Sequence, residues 1–141
     1  AGRRRMGHAA VIVIDTHVLV WWLTQPERLS PAARLALAQV NATDPAVLSA
    51  ISILEITTAV RRGRMDLSVP IGDWLALLHQ LPELRIKSVC SKIAARAGGY
   101  GDDMHGDPAD RLVAATAEVL GARLVSADEK LRLHPAVQAL W

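Results

Sequence analysis

Four acidic residues, Asp15, Glu55, Asp110 and Asp128, each stand where an apolar run gives way to a helical pattern or one turn into it. Carboxylates about 5 Å apart repel by roughly 3 kcal/mol per pair at an effective dielectric near 20. A converging set of four must therefore take up protons or hold a cation. Ligands that are all oxygen select hard ions such as Mg²⁺ or Mn²⁺, which combine a few carboxylates with waters and phosphate oxygens. The natural partner of such an ion is a phosphodiester.

The elements that position these acids can be read at the junctions. Residues 11–14 are an unbroken β-branched run ending at Asp15, short and apolar enough for a strand buried on both faces. Residues 46–51 form a second run, after which Ser52 opens a helical pattern with Glu55 one turn in. Asp107-Pro108-Ala109-Asp110 opens another helix, and the strand at 123–125 is followed at once by Ser126, Ala127 and Asp128. In an open α/β sheet, sites form beyond the carboxyl ends of the strands. A mainly parallel sheet would bring all four acids to one edge.

Each acid taken singly reads more readily as a helix cap. Asp15 suits an N-cap, Ser52 with Glu55 has capping-box spacing, and Asp107 precedes a proline at the first helical position with an acid at the third. Ser126 with Asp128 and Glu129 repeats the arrangement. Such roles contribute about 1 kcal/mol each. The set, rather than any member, points to chemistry.

The segments VIVIDTHVLVWWL (11–23), LSAISILEI (48–56), HGDPADRLVAATA (105–117) and RLVSADEKLR (123–132) resemble, in order and spacing, the four acidic motifs of PIN-domain proteins. They are most similar to the VapC-type ribonuclease toxins of bacterial toxin–antitoxin pairs, over nearly the whole chain. The resemblance implies a three-layer α/β/α fold with a central mainly parallel sheet. It makes Asp15, Glu55, Asp110 and Asp128 the catalytic, metal-holding set with Mg²⁺ (or Mn²⁺) as cofactor. Ser126, Asp107 and Thr16 would support them, Asp107 as a helix cap first. It further implies metal-activated hydrolysis of a structured RNA, transfer or ribosomal, leaving a 5′-phosphate and inhibiting translation. A VapB-type antitoxin would lie across the acidic groove, with a homodimer growing to a heterotetramer or larger when it binds. Two departures, Gly106 where relatives often carry arginine and Ala109 where they often carry phenylalanine, alter the groove without removing a ligand.

Composition fits one domain over residues 9–141, with residues 1–8 as an N-terminal extension. A hydrophobic content of 51% is high for a monomer, so part of the apolar surface is expected to meet another chain. No apolar run approaches the roughly 18 residues of a membrane span, and Asp15 and His17 interrupt the weak likeness of residues 3–14 to a signal peptide. A cytoplasmic protein is expected. The single cysteine, Cys90, excludes an internal disulfide and a cysteine-rich zinc site. No histidine pair has zinc-helix spacing, although His105 is close enough to the third motif to touch substrate.

The net charge of +2 hints only weakly at a polyanion. Arg61, Arg62 and Arg64, with Arg111 beside Asp110, are the candidates for RNA phosphates, and Lys87, Lys92 and Arg96 form a second basic group. Helix-end and solvent roles suit these cations at least as well. Aromatics for stacking are few, with no phenylalanine and one tyrosine; of Trp21 and Trp22, one is expected in the core and the other toward a partner. Helices are predicted over 31–40, 71–81 and 91–97, a strand over 84–89, and a mobile glycine-rich loop over 98–106.

Three rivals compete with the nuclease. A receiver domain needs paired acids after its first strand and a phosphoacceptor aspartate on a middle strand, whereas Thr16 and His17 follow Asp15. A phosphatase of the haloacid dehalogenase class needs an aspartate where His17 stands. A catalytically silent PIN-like module that binds RNA or protein would have less need of four intact acids.

Overall fold

The computed structural model describes residues 11–141; the expected N-terminal extension lies outside them. In chain order the elements are β1 (Ile12–Ile14), α1 (Thr16–Thr24), a 3₁₀ turn (Pro26–Arg28), α2 (Pro31–Ala38), β2 (Ala46–Ser49) and α3 (Ala50–Arg61). There follow α4 (Ile71–His79), β3 (Leu84–Lys87), α5 (Ser91–Gly99), α6 (Pro108–Leu120), β4 (Arg123–Val125), α7 (Glu129–Leu133) and β5 (Ala139–Leu140). The five strands form one sheet in the order β3-β2-β1-β4-β5, and every pairing is parallel.

The strand sequences dictate that placement. Every residue of β1 and β2 is buried, so both faces must be covered by helices, and continuous aliphatic runs meet that demand. Side chains alternate between faces along a strand. Ile12 and Ile14 accordingly join Val18, Leu19, Leu37, Ile56, Trp74 and Leu78 on one side. Val13, Val47 and Leu124 join Ile93, Ala97, Val113, Ala114, Ala117 and Leu131 on the other. These two apolar cores define three layers, α/β/α.

Register brings the strand ends level. Ile14 is opposite both Leu48 of β2 and Val125 of β4, so the chain leaves three central strands at the same height. Asp15, Ser49 and Ser126 occupy those exits. No helix among the described residues is long and apolar enough to cross a membrane.

Several boundaries differ from the sequence reading. β2 ends at Ser49, whose side chain accepts from the Ile51 amide, and the helix starts at Ala50. The Ser52–Glu55 capping box therefore does not form. Ser52 lies inside α3, fully buried, against Thr16. β3 stops at Lys87, short of Val89, while α5 runs on through Gly98 to Gly99. The loop expected to be mobile is anchored: Tyr100 and Met104 are buried. The Arg111 guanidinium donates to the carbonyls of Ala97, Gly101, His105 and Tyr100. The 3₁₀ turn and β5 had no counterpart in the sequence reading.

Candidate metal and phosphodiester site

Asp15 follows β1, its amide bonded to the Val125 carbonyl of β4 at 3.2 Å. One carboxylate oxygen accepts from the Val18 amide at 2.9 Å and so caps α1. The other accepts from the Ser126 hydroxyl, and Ser126 Oγ in turn accepts from the Asp128 amide at 3.0 Å. Ser126, fully buried, thus ties the acid after β1 to the acid after β4. Asp128 caps α7 through the amides of Lys130 and Leu131. Both the capping and the clustering readings hold for the same side chains.

Glu55 reaches the same edge from the second turn of α3. The Thr16 hydroxyl, 2.8 Å from the buried Ser52 hydroxyl, donates to Glu55 Oε1. Asp107 caps α6 by accepting from the amides of Ala109 and Asp110 at 2.8 and 3.2 Å. That leaves Asp110 as the third residue of the helix, in its first turn. Carboxylate oxygens of Glu55, Asp107 and Asp110 lie within 4.8 Å of one another, and so do ligand atoms of His105, Asp110 and Asp128. Asp110 is common to both groups. Asp15 joins the set through Ser126 and belongs to neither group of three.

His105 stands among the acids, with Nε2 3.2 Å from Asp110 Oδ2 and 3.6 Å from Asp128 Oδ2. Its Nδ1 accepts from the Asp107 amide at 3.3 Å. A nitrogen that accepts carries no proton, so the ring proton sits on Nε2 and points at the carboxylates. The ring is a hydrogen-bond donor to this site in the arrangement described.

Burial and crowding raise the acids' pKa values. Asp110 is pushed up to about 6, chiefly by burial and next by the charge of Asp107. Burial also lifts Asp15, against the hydrogen bond from Ser126, and Glu55, against that from Thr16. Low-dielectric surroundings and like charges both disfavour the anion. A divalent ion is the species that would reverse this, and an oxygen-rich donor set suits a hard one.

The acids line a cleft of about 610 Å³ with Thr16, His17, Trp21, Arg28, Val113 and Ala127. The arginines named from sequence are not among its lining residues. Arg61 ends α3 six residues after Glu55, a rise of about 9 Å, and Arg62 and Arg64 follow outside the helix. Arg111 is the clearest correction, because its guanidinium is engaged with loop carbonyls. Arg96 pairs with Glu118 at 2.9 Å, away from the acids. The cation that does line the cleft, Arg28, was not singled out from sequence. Its approach depends on the 3₁₀ turn after Pro26, which no periodicity reveals. Trp21 had a partial signal, since four residues separate it from His17 and place both on one face of α1.

Fold and site together define a parallel α/β domain with a carboxylate cleft at the carboxyl edge of its sheet. The PIN domain family matches residues 12–136. Ribonuclease VapC22 of Mycobacterium tuberculosis is 36% identical over 132 residues, covering 92% of this chain and 98% of that protein. VapBC2 from Rickettsia felis, bound to a DNA fragment from its promoter, has a TM-score of 0.63 at 17% identity, covering 92% of this chain and 98% of that chain. FitAcB from Neisseria gonorrhoeae has a TM-score of 0.63 at 24% identity, covering 92% and 96%. At those identities the two structures speak for the fold alone. The chain belongs to the PIN-domain family, in its VapC branch. The receiver and dehalogenase-type alternatives fall with that assignment.

Proposed function

We propose that this protein is a Mg²⁺-dependent endoribonuclease acting as the toxin of a VapBC-type toxin–antitoxin pair. The observation that carries the reading is the position of Asp110 within two groups of metal-ligand atoms, with its pKa raised to about 6. Asp15 and Asp110 are the principal ligands in this reading, and Glu55 and Asp128 complete the set. A bound Mg²⁺ or Mn²⁺ supplies charge to a phosphate oxygen and lowers the pKa of a water at the scissile bond. Ser126 holds Asp15 and Asp128 in fixed orientation, Thr16 does the same for Glu55, and Asp107 fixes the start of the helix that presents Asp110.

The relative named a ribonuclease supports RNA as substrate, and a structured target such as transfer or ribosomal RNA follows the same likeness, with arrest of translation as the outcome. One solved structure of similar fold is a toxin–antitoxin complex from Klebsiella pneumoniae and another is VapBC2 from Rickettsia felis, which supports a VapB-type antitoxin as partner. Exposed Leu23, Leu54 and Leu77 supply apolar surface for a second chain, in line with a homodimer and a larger assembly with antitoxin. We take residues 9–141 as one domain and the cytoplasm as its compartment.

The test is cleavage of total RNA by antitoxin-free protein with Mg²⁺, with chelator, and with Asp15→Asn or Asp110→Asn, mapping new 5′ ends. Discrete Mg²⁺-dependent cuts, lost by at least 100-fold in either variant, are expected on the order seen when transition-state charge stabilisation is removed. Folded Asp110→Asn protein that cuts at the wild-type rate would remove the assignment. Absence of cutting by metal-loaded wild type would favour the silent binding module.

A further inference from the structure

We propose that Arg28, stacked on Trp21 at the wall of the acidic cleft, binds the unpaired nucleotide next to the scissile phosphodiester. This rests on the ribonuclease reading above and assigns the substrate contact that the carboxylates cannot make.

Five carboxylates line the cleft, Asp15, Glu55, Asp107, Asp110 and Asp128, and Arg28 is the one arginine or lysine among the lining residues. A polyanion entering there meets repulsion everywhere except at a metal ion and at this guanidinium. The metal accounts for the phosphate that is cut. Arg28 remains for the neighbouring one.

The arginine is already arranged for the task. Its guanidinium carbon lies 4.6 Å from the Trp21 ring centroid. The indole is held in turn by packing on the core and by the Trp141 and His17 rings at 5.9 and 5.8 Å. The turn that carries Arg28 is fixed by Pro26 at its start and by the Arg28 amide bonded to the Gln25 carbonyl at 2.9 Å. Despite five acids in the same cleft, no carboxylate lies within ion-pair distance of Arg28 among the described residues. Its side-chain hydrogen bond to Gln25 Oε1 is long, 3.4 Å.

A planar guanidinium on an aromatic face retains its edge for bidentate hydrogen bonds to phosphate and offers its outer plane to a base. Unpaired RNA is commonly recognised in that way, by stacking on aromatic rings or arginine planes. A lysine could replace the charge but not the plane. An acidic segment of a protein partner would use the charge alone, so the indole beneath Arg28 favours the nucleotide.

The experiment compares wild type, Arg28→Ala and Arg28→Lys in three measurements. These are steady-state cleavage of a short RNA containing a mapped cut, Mn²⁺ affinity by calorimetry, and binding of that RNA, and separately of oligoglutamate, to the same variants carrying Asp110→Asn. Arg28 is exposed, so folding should survive its replacement, as thermal melts will verify. Arg28→Ala is expected to raise KM and RNA Kd by about tenfold, with kcat and Mn²⁺ affinity within about twofold, and to lower the salt slope of binding by about one phosphate. Arg28→Lys is expected to recover less than half of the loss in logarithmic terms. Unchanged KM and Kd in Arg28→Ala, or full recovery by lysine, would overturn the assignment while leaving the ribonuclease intact. Loss of oligoglutamate binding with RNA binding unaffected would overturn it in favour of a protein partner. Wild type that neither cuts nor binds RNA would overturn both readings together.

Discussion

Asp110 and His105 set the behaviour of the site at the level of single residues. Asp110 is forced toward its neutral form by burial and by Asp107, and the imidazole proton of His105 offers a donor to the Asp110 and Asp128 carboxylates. A hydrogen bond to a carboxylate and a metal ion compete for the same oxygen lone pairs. The ring also cannot ligate through Nε2 while its Nδ1 accepts from the Asp107 amide. Replacing His105 with alanine should therefore tighten Mn²⁺ binding by about threefold to tenfold, the scale of a partly solvated hydrogen bond to a charged group. Calorimetry at neutral pH decides the matter. Binding that weakens tenfold would instead make His105 a ligand, with its ring turned over.

At the scale of elements, the acids that cap helices are also acids that line the cleft. Asp15, Asp107 and Asp128 cap α1, α6 and α7, so loss of activity on mutation could come from a frayed helix as easily as from a lost ligand. Asn retains a capping oxygen and removes the charge, whereas Ala removes both. Asp128→Asn should keep thermal stability near wild type and lose cleavage; Asp128→Ala should lose cleavage and about 1 kcal/mol of stability as well. Equal destabilisation by the two variants, measured by urea unfolding, would show that charge rather than the cap governs α7. The same dual use explains what was legible in the sequence. Strand-end acids and the Asp107-Pro108 helix start have local signatures that the structure retains. The start of α3 did not, because Ala50 and Ile51 suit a buried strand as well as a helix. Local pattern cannot decide which serine of Ser49 and Ser52 caps. Arg111 was expected at phosphate and Arg28 was not singled out, for a related reason: the first is claimed by carbonyls up to fourteen residues away, and the second arrives through a short turn without periodicity.

On the scale of the whole molecule, the flush parallel register concentrates charge that the fold itself must tolerate. β1, β2 and β4 end level, and each delivers an acid or the helix bearing one to the same edge. The pKa values of Asp15, Glu55 and Asp110 are all raised, burial being the largest cause in each. An acid whose folded-state pKa lies above its unfolded value binds protons more tightly when folded. Its contribution is most favourable below the unfolded pKa and is lost as pH rises through the folded one. For Asp110 that window runs from the ordinary 3.8 up to about 6. Solvent screening at this half-buried group reduces the size of the effect without changing its sign. A divalent ion held by the deprotonated set would stabilise the fold by mass action, about 2.7 kcal/mol at a hundredfold excess over Kd. Thermal melts in chelator and in saturating Mg²⁺ should therefore diverge, with little difference at pH 4.5 and a gap of several degrees opening by pH 7. Other titrating groups affect both melts and cancel in the gap. Asp110→Asn should close most of it, and a gap that stays constant from pH 4.5 to 7 would mean that the ion binds elsewhere than on these acids.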